Sequence, residues 1–145
     1  MIFTTELKEH TEMTKDINQL TETVIGCAIE VHRTLGPGLL ESAYEACLCR
    51  ELSLHDLFFE CQKPIAIEYK GVKLDCGYRA DVIVGRRLLL EVKAVDHLAP
   101  IHDAQLLSYL KLTGLNVGLL INFNVRMPAH GVRRKVLGPP EQISL

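Results

Sequence analysis

The sequence predicts a single domain of the α/β (α+β) class, in which a central mixed sheet is flanked by helices. Helical periodicity fills the first third of the chain, short strands bounded by glycine turns follow, and one more helix separates the last strands. The chain has 145 residues, 48% hydrophobic and 23% charged, which is typical of a globular domain with a substantial core.

Two amphipathic helices open the domain predicted at residues 16–145, after a polar arm predicted at residues 1–15 to be flexible. Apolar residues recur with helical spacing from Ile17 to Leu35, and Gly36-Pro37-Gly38 ends that helix because proline cannot continue the hydrogen-bond ladder. A second helix is predicted from about Leu39 to His55. Its buried face is expected to comprise Leu40, Ala43, Cys47, Leu48 and Leu52.

A hairpin-rich region follows the helices. One strand is predicted over residues 64–70, and a second begins at residues 72–74 and continues to Val84. The turn Gly85-Arg86-Arg87 leads into a more apolar strand from Leu88 to Val95.

The last part of the chain predicts a strand–helix–strand unit. A helix from Ile101 to Thr113 ends at Gly114, and a buried strand runs from Val117 to Phe123. The unit fits a right-handed parallel crossover. Residues 131–137 are expected to add a short basic edge strand.

Composition argues against several classes of protein. Five cysteines without a CxxC pair disfavour a zinc ribbon or a disulfide framework, and all five are expected to be small buried residues. No apolar run approaches the roughly 20 residues of a membrane helix. The start of the chain lacks the features of a secretion signal, so a cytoplasmic location is expected. Residues 1–60 carry a net charge of −7 and residues 61–145 one of +5, so a phosphate-binding surface is expected from the second part.

Charged residues interrupt two apolar strands at Asp81, Glu91 and Lys93. A carboxylate in such surroundings is costly unless it is paired or bound to a metal. Glu91 and Lys93 lie two positions apart, so they share one face of a strand. A salt bridge from Lys93 to either carboxylate, without catalysis, is the structural alternative.

The length of the turn decides whether these carboxylates meet. A three-residue turn pairs Val84 with Leu88 and sets Asp81 opposite Glu91, with β-carbons about 5 Å apart. Two carboxylates at that separation repel, and a divalent cation relieves the repulsion. A two-residue turn would instead set Asp81 opposite Leu90 and break up the site.

Asp81 followed by Glu91-Val92-Lys93 resembles the D…ExK signature of the PD-(D/E)XK nuclease superfamily. The segment Gly38-Leu39-Leu40-Glu41-Ser42-Ala43-Tyr44 also resembles the motif that names the GxxExxY family, a bacterial branch of that superfamily. The resemblance extends over residues 24–52 and 78–123. It implies a restriction-endonuclease-like core with an extra N-terminal helix, and a divalent-metal nuclease acting on DNA. A homo-oligomer that builds a substrate groove is a further expectation.

The resemblance also implies roles for individual residues. Asp81, Glu91 and the main-chain carbonyl of Val92 would hold Mg²⁺ or Mn²⁺, and Lys93 would orient or activate the attacking water. Further site residues implied are Glu41, Gln105 and Tyr109, the last two resembling a QxxxY element. Nucleic-acid phosphates are expected to contact Arg126, Arg133, Arg134 and Lys135.

Structural explanations stand beside these roles. Tyr44 and Tyr109 suit amphipathic packing, Glu41 suits the first turn of a helix, and Gln105 suits an exposed surface. The basic tail could simply protect a sheet edge from aggregation. A catalytically silent module for nucleic-acid binding or self-assembly is therefore the second functional hypothesis.

Overall fold

The computed structural model describes residues 16–138, so the predicted arm at residues 1–15 and the last seven residues lie outside the description. The helices are α1 (Ile17–Leu35), α2 (Glu41–Leu54) and α3 (Pro100–Thr113). The strands are β1 (Phe59–Pro64), β2 (Ile67–Tyr69), β3 (Val72–Leu74), β4 (Arg79–Val84), β5 (Leu88–Lys93), β6 (Val117–Asn122) and β7 (Val132–Val136).

Five strands form the central mixed sheet in the order β1-β4-β5-β6-β7. β5 and β6 are parallel and joined through α3, as the strand–helix–strand pattern predicted, and the other pairs are antiparallel. Alternate residues of the strands face opposite layers. One face packs against α1 and α2, and the other against α3.

The helix limits follow from local capping. The Asp16 side chain accepts a hydrogen bond from the Asn18 N–H at the start of α1, and Gly36, with φ of 67°, ends that helix. α3 has proline in its first turn and ends at Gly114, whose left-handed conformation closes the helix. These limits lie within one or two residues of the predicted ones.

The hairpin region differs from the prediction. The predicted strand at 64–70 corresponds only to β2, at Ile67–Tyr69, and β1, at Phe59–Pro64, was not predicted. The predicted strand at 72–84 is divided, because Gly77 has φ of 80° and donates its N–H to Asp75 in a turn. β2 and β3 pair only with each other, forming a two-stranded hairpin outside the central sheet.

Two expectations about burial were wrong. Leu40 is 77% exposed because it lies just before the first turn of α2, and Tyr44 fills the buried face instead. Cys61 and Cys76 are exposed, since they lie in the outer strand β1 and in the turn before β4. Neither α1 nor any other helix within residues 16–138 is long and apolar enough to span a membrane.

Candidate functional site

The turn between β4 and β5 has the three-residue length that sets Asp81 opposite Glu91. Val84 pairs with Leu88, and the register continues to Val82 and Leu90. The paired register ends there, and the next residues, Asp81 and Glu91, are joined by hydrogen bonds, with Glu91 following Leu89 on the face of the sheet that packs against α3.

Beyond Val82 and Leu90, the main-chain N–H groups of Asp81 and Val92 donate to side-chain carboxylates instead of to main-chain carbonyls. The Asp81 N–H donates to Oε1 of Glu91 at 3.2 Å, and the Val92 N–H donates to Oδ2 of Asp81 at 2.8 Å. Each carboxylate is thus held by a main-chain N–H of the neighbouring strand. This reciprocal bonding orients both groups before any ligand arrives.

Glu91 lies in an unusual electrostatic environment. It is only 6% exposed, and burial together with the charge of Asp81 raises the pKa of Glu91 to about 8. The Asp81 N–H and the charge of Lys93 act in the opposite direction. At neutral pH, Glu91 therefore retains a proton beside Asp81. A bound cation could take the place of that proton.

Lys93 ends β5 on the same face as Glu91 and is partly exposed. It lies beside Asn122 in the parallel pair with β6, and its carbonyl accepts the Phe123 N–H at 2.9 Å. The buried Asn122 amide bonds both the N–H and the carbonyl of Val95. The chain leaving β5 is therefore fixed just beyond Lys93.

Two residues that the sequence did not single out join this arrangement. The Gln62 amide donates to Oε1 of Glu45 at 2.8 Å and to Oδ1 of Asp81 at 3.3 Å. Burial, followed by the charge of Asp81, raises the pKa of Glu45. A helical spacing of four from Glu41 was a signal for Glu45, whereas nothing local marks Gln62.

The motif from Gly38 to Tyr44 is largely structural. Tyr44 is buried, stacks on Phe123 with centroids 4.6 Å apart, and its hydroxyl donates to the Gly36 carbonyl. The Gly38 N–H donates to the Asn124 side chain at 3.1 Å. Glu41 is exposed at the start of α2 and lines a shallow cavity of about 380 Å³ together with Ala94, which follows β5.

Tyr109 and Gln105 occupy one side of α3. Tyr109 is buried, and its pKa is raised by burial and then by the charge of Glu91. Its ring meets that of Tyr78 edge to face at 5.9 Å. Gln105 is exposed and lines the same cavity as both tyrosines.

The four basic residues expected to contact phosphates do not form one surface. Strand alternation directs Arg133 and Lys135 toward α3, where both pair with Asp103, at 2.8 and 3.1 Å. Arg134 faces α1 and donates to Asn18 at 2.8 Å. Arg126 lines a separate cavity of about 460 Å³ that also includes Arg133.

The donor set suits a cation that keeps much of its water. Within residues 16–138, no group of three or more His, Cys, Asp or Glu side chains is arranged to hold a metal. Asp81 and Glu91 nevertheless offer two adjacent carboxylates. Mg²⁺ characteristically binds through one or two carboxylates and several waters, so the pair fits Mg²⁺ better than a fully protein-coordinated metal.

Comparison with known protein families identifies a matching superfamily. A model of the PD-(D/E)XK nuclease superfamily matches residues 18–135. No curated protein and no solved structure matches the chain.

Proposed function

The chain belongs to the PD-(D/E)XK nuclease superfamily, and on that premise we propose that it is a divalent-metal-dependent nuclease that hydrolyses phosphodiester bonds in DNA. The observation that carries the proposal is the reciprocal bonding of Asp81 and Glu91, with Lys93 on the same face. Burying two neighbouring carboxylates destabilises a domain that has no ligand. Groups perturbed in this way concentrate at functional sites, and phosphodiester hydrolysis is a reaction that needs them. We further assign the chain to the GxxExxY branch on the segment from Gly38 to Tyr44.

Asp81, Glu91 and the carbonyl of Val92 would hold Mg²⁺ or Mn²⁺. Nucleases of this superfamily generally use divalent metals. When bound, the cation supplies a Lewis acid that polarises the phosphoryl oxygen and lowers the pKa of water. Binding of the cation requires Glu91 to lose its proton, and the positive charge of the cation itself favours that loss.

The other residues act around this pair. Lys93 would orient the attacking water and offset the negative charge that develops on the phosphate. Gln62 holds one oxygen of Asp81, and Glu45 holds Gln62, so these two position the carboxylate and need not touch the substrate. Glu41 would reach the site from the start of α2, and Tyr109 would limit access of water from the α3 side.

The direct test is a cleavage assay with labelled single-stranded and double-stranded DNA in Mg²⁺, Mn²⁺ or chelator. We expect cleavage that chelator abolishes. Lys93→Ala should lower the rate by roughly 100-fold or more, as expected for loss of a group that stabilises developing charge. Arg50→Ala, which removes one positive charge from the exposed side of α2, is the matched control and should leave the rate unchanged.

The outcomes separate the two functional hypotheses. Binding of nucleic acid without cleavage in any metal would favour the catalytically silent module. Cleavage that survives both Lys93→Ala and Asp81→Asn, with the variants folded, would contradict the assigned site. A cytoplasmic location and a homo-oligomeric state belong to the proposal as well, and sedimentation of the full chain tests the second.

A further inference from the structure

Two cavities adjoin on the face of the sheet that packs against α3. The first, about 480 Å³, is lined by Ile67 of β2, by Tyr78 and by the exposed side of α3. The second, about 540 Å³, is lined by the β2–β3 hairpin, the end of β1 and the end of α3. Lys111 and Leu112 line both cavities, so together they form one continuous groove, termed here the α3–hairpin groove.

The first cavity is aromatic and starts beside the candidate site. Tyr109 lines it, and this residue is close enough to Glu91 for that carboxylate to raise its pKa. Tyr78 is 40% exposed and meets Tyr109 edge to face, so part of its ring is accessible to a ligand. Exposed Ile101 adds apolar surface. An aromatic ring in such a setting can stack on a nucleobase.

The second cavity is cationic. Four basic side chains line it, against one carboxylate, that of Glu68. The basic residues are Lys63, Lys73, Arg86 and Lys111. Lys63 also holds Glu60 at 3.2 Å, so the exposed Lys73 and Lys111 supply the more accessible charge. A positive excess of this kind complements a chain of phosphates.

We infer that the α3–hairpin groove binds an unpaired DNA strand, with a base against Tyr78 and the backbone phosphates along Lys111 and Lys73. That the bound strand leads toward Asp81 and Glu91 rests on the proposed nuclease function. Cavities of about 500 Å³ accommodate single nucleotides. An unpaired strand is required because a base in a duplex has both faces covered by its neighbours, whereas a stacking platform needs a free face.

The test measures binding separately from cleavage. Fluorescence anisotropy follows a labelled single strand of about a dozen thymidines with the full chain in EDTA, across a range of salt concentrations. Lys73→Gln with Lys111→Gln should weaken binding and lower the slope of log affinity against log salt by about 1.4, since each single-strand phosphate contact contributes about 0.7. The matched control, Arg33→Gln with Arg50→Gln, removes two charges from the helices on the opposite face of the sheet and should leave the slope unchanged.

The aromatic contact has its own variants. Tyr78→Ala should weaken single-strand binding by about 5- to 150-fold, the range for losing one stacked base. Tyr78→Phe keeps the ring and should bind as the unmodified chain does. A self-complementary duplex of equal length should bind more weakly than the single strand. Circular dichroism melts confirm that each variant is folded.

The results distinguish this inference from the proposed function. Duplex binding as tight as single-strand binding, or equal losses in the lysine pair and the arginine control, would overturn the inference. Metal-dependent cleavage that neither Tyr78→Ala nor the lysine pair affects would also overturn it, while leaving the nuclease intact. Groove-dependent binding without any cleavage would support the inference and count against the nuclease.

Discussion

Raising the pH should destabilise the metal-free protein through Glu91. In the folded chain the pKa of Glu91 is raised to about 8 from its ordinary 4.5, first by burial and then by Asp81. A raised carboxyl pKa means that the folded state favours the proton more than the unfolded state does. The resulting stability is fully present below about pH 4.5 and is lost as the pH rises through about 8.

The size of the effect follows from proton linkage. Between those two pKa values, the free energy of unfolding falls by about 1.4 kcal/mol per pH unit for one proton. From about pH 6 to about pH 8 the loss flattens as the folded pKa is approached, and amounts to about 2 kcal/mol. In a domain of this size that corresponds to roughly 4–8 °C in melting temperature.

Urea unfolding followed by circular dichroism, in EDTA at both pH values, measures the loss. Glu91→Gln is the control, because the amide imitates the protonated carboxyl and cannot titrate. Titrating groups that do not interact with Glu91 contribute equally to both chains, so the difference between the chains reports Glu91 together with the groups coupled to it. Added Mg²⁺ should stabilise the unmodified chain more at pH 8 than at pH 6, since the ion needs the deprotonated carboxylate. An unchanged pH dependence in Glu91→Gln would refute the reasoning.

Three further predictions concern the scaffold. Gly26→Ala should raise the free energy of unfolding by about 0.8–1 kcal/mol, because Gly26 lies within α1 and a β-carbon there would meet no neighbouring atom. Gly131→Ala should lower the free energy of unfolding by about 1–3 kcal/mol or more, because a β-carbon there would collide with the main-chain oxygen of Asn122. Urea unfolding measures both, and similar values for the two variants would contradict the packing. Cys49 and Cys61 have sulfurs 2.8 Å apart, so oxidised glutathione should join them with loss of two hydrogens from the protein mass. Mass spectrometry detects the change, and Cys61→Ser should prevent it.

Local signals made the helices and the central hairpin predictable. α1 ends at Leu35 because Gly36 follows with a backbone conformation that favours glycine. The register of β4 with β5 could be predicted because both strands are apolar on their buried positions, and only a three-residue turn brings the charged positions together. In each case the deciding interaction lies within a few residues along the chain.

Elements defined by distant contacts could not be predicted in this way. β1 is an outer strand in which four of six residues are exposed, so the alternation of apolar residues that marks a strand is absent. The bridge from Glu45 through Gln62 to Asp81 depends on how α2 packs against β1. Strand alternation alone places Arg133 and Arg134 on opposite faces of the sheet. Their partners, Asp103 and Asn18, depend on how the helices pack and could not be predicted.

Tyr44, at the end of the Gly38–Tyr44 segment, links a local sequence pattern to contacts between distant parts of the chain. Tyr44 stacks on Phe123, and the Phe123 N–H donates to the carbonyl of Lys93 at 2.9 Å. The start of α2 is therefore tied, through one aromatic pair, to the end of the strand that carries the candidate catalytic lysine. Because Glu41 precedes Tyr44 by three positions and Glu45 follows it directly, fixing this tyrosine also fixes where both carboxylates lie relative to β5. The segment thus acts through packing, by setting the orientation of the helix from which Glu45 reaches Asp81 through Gln62.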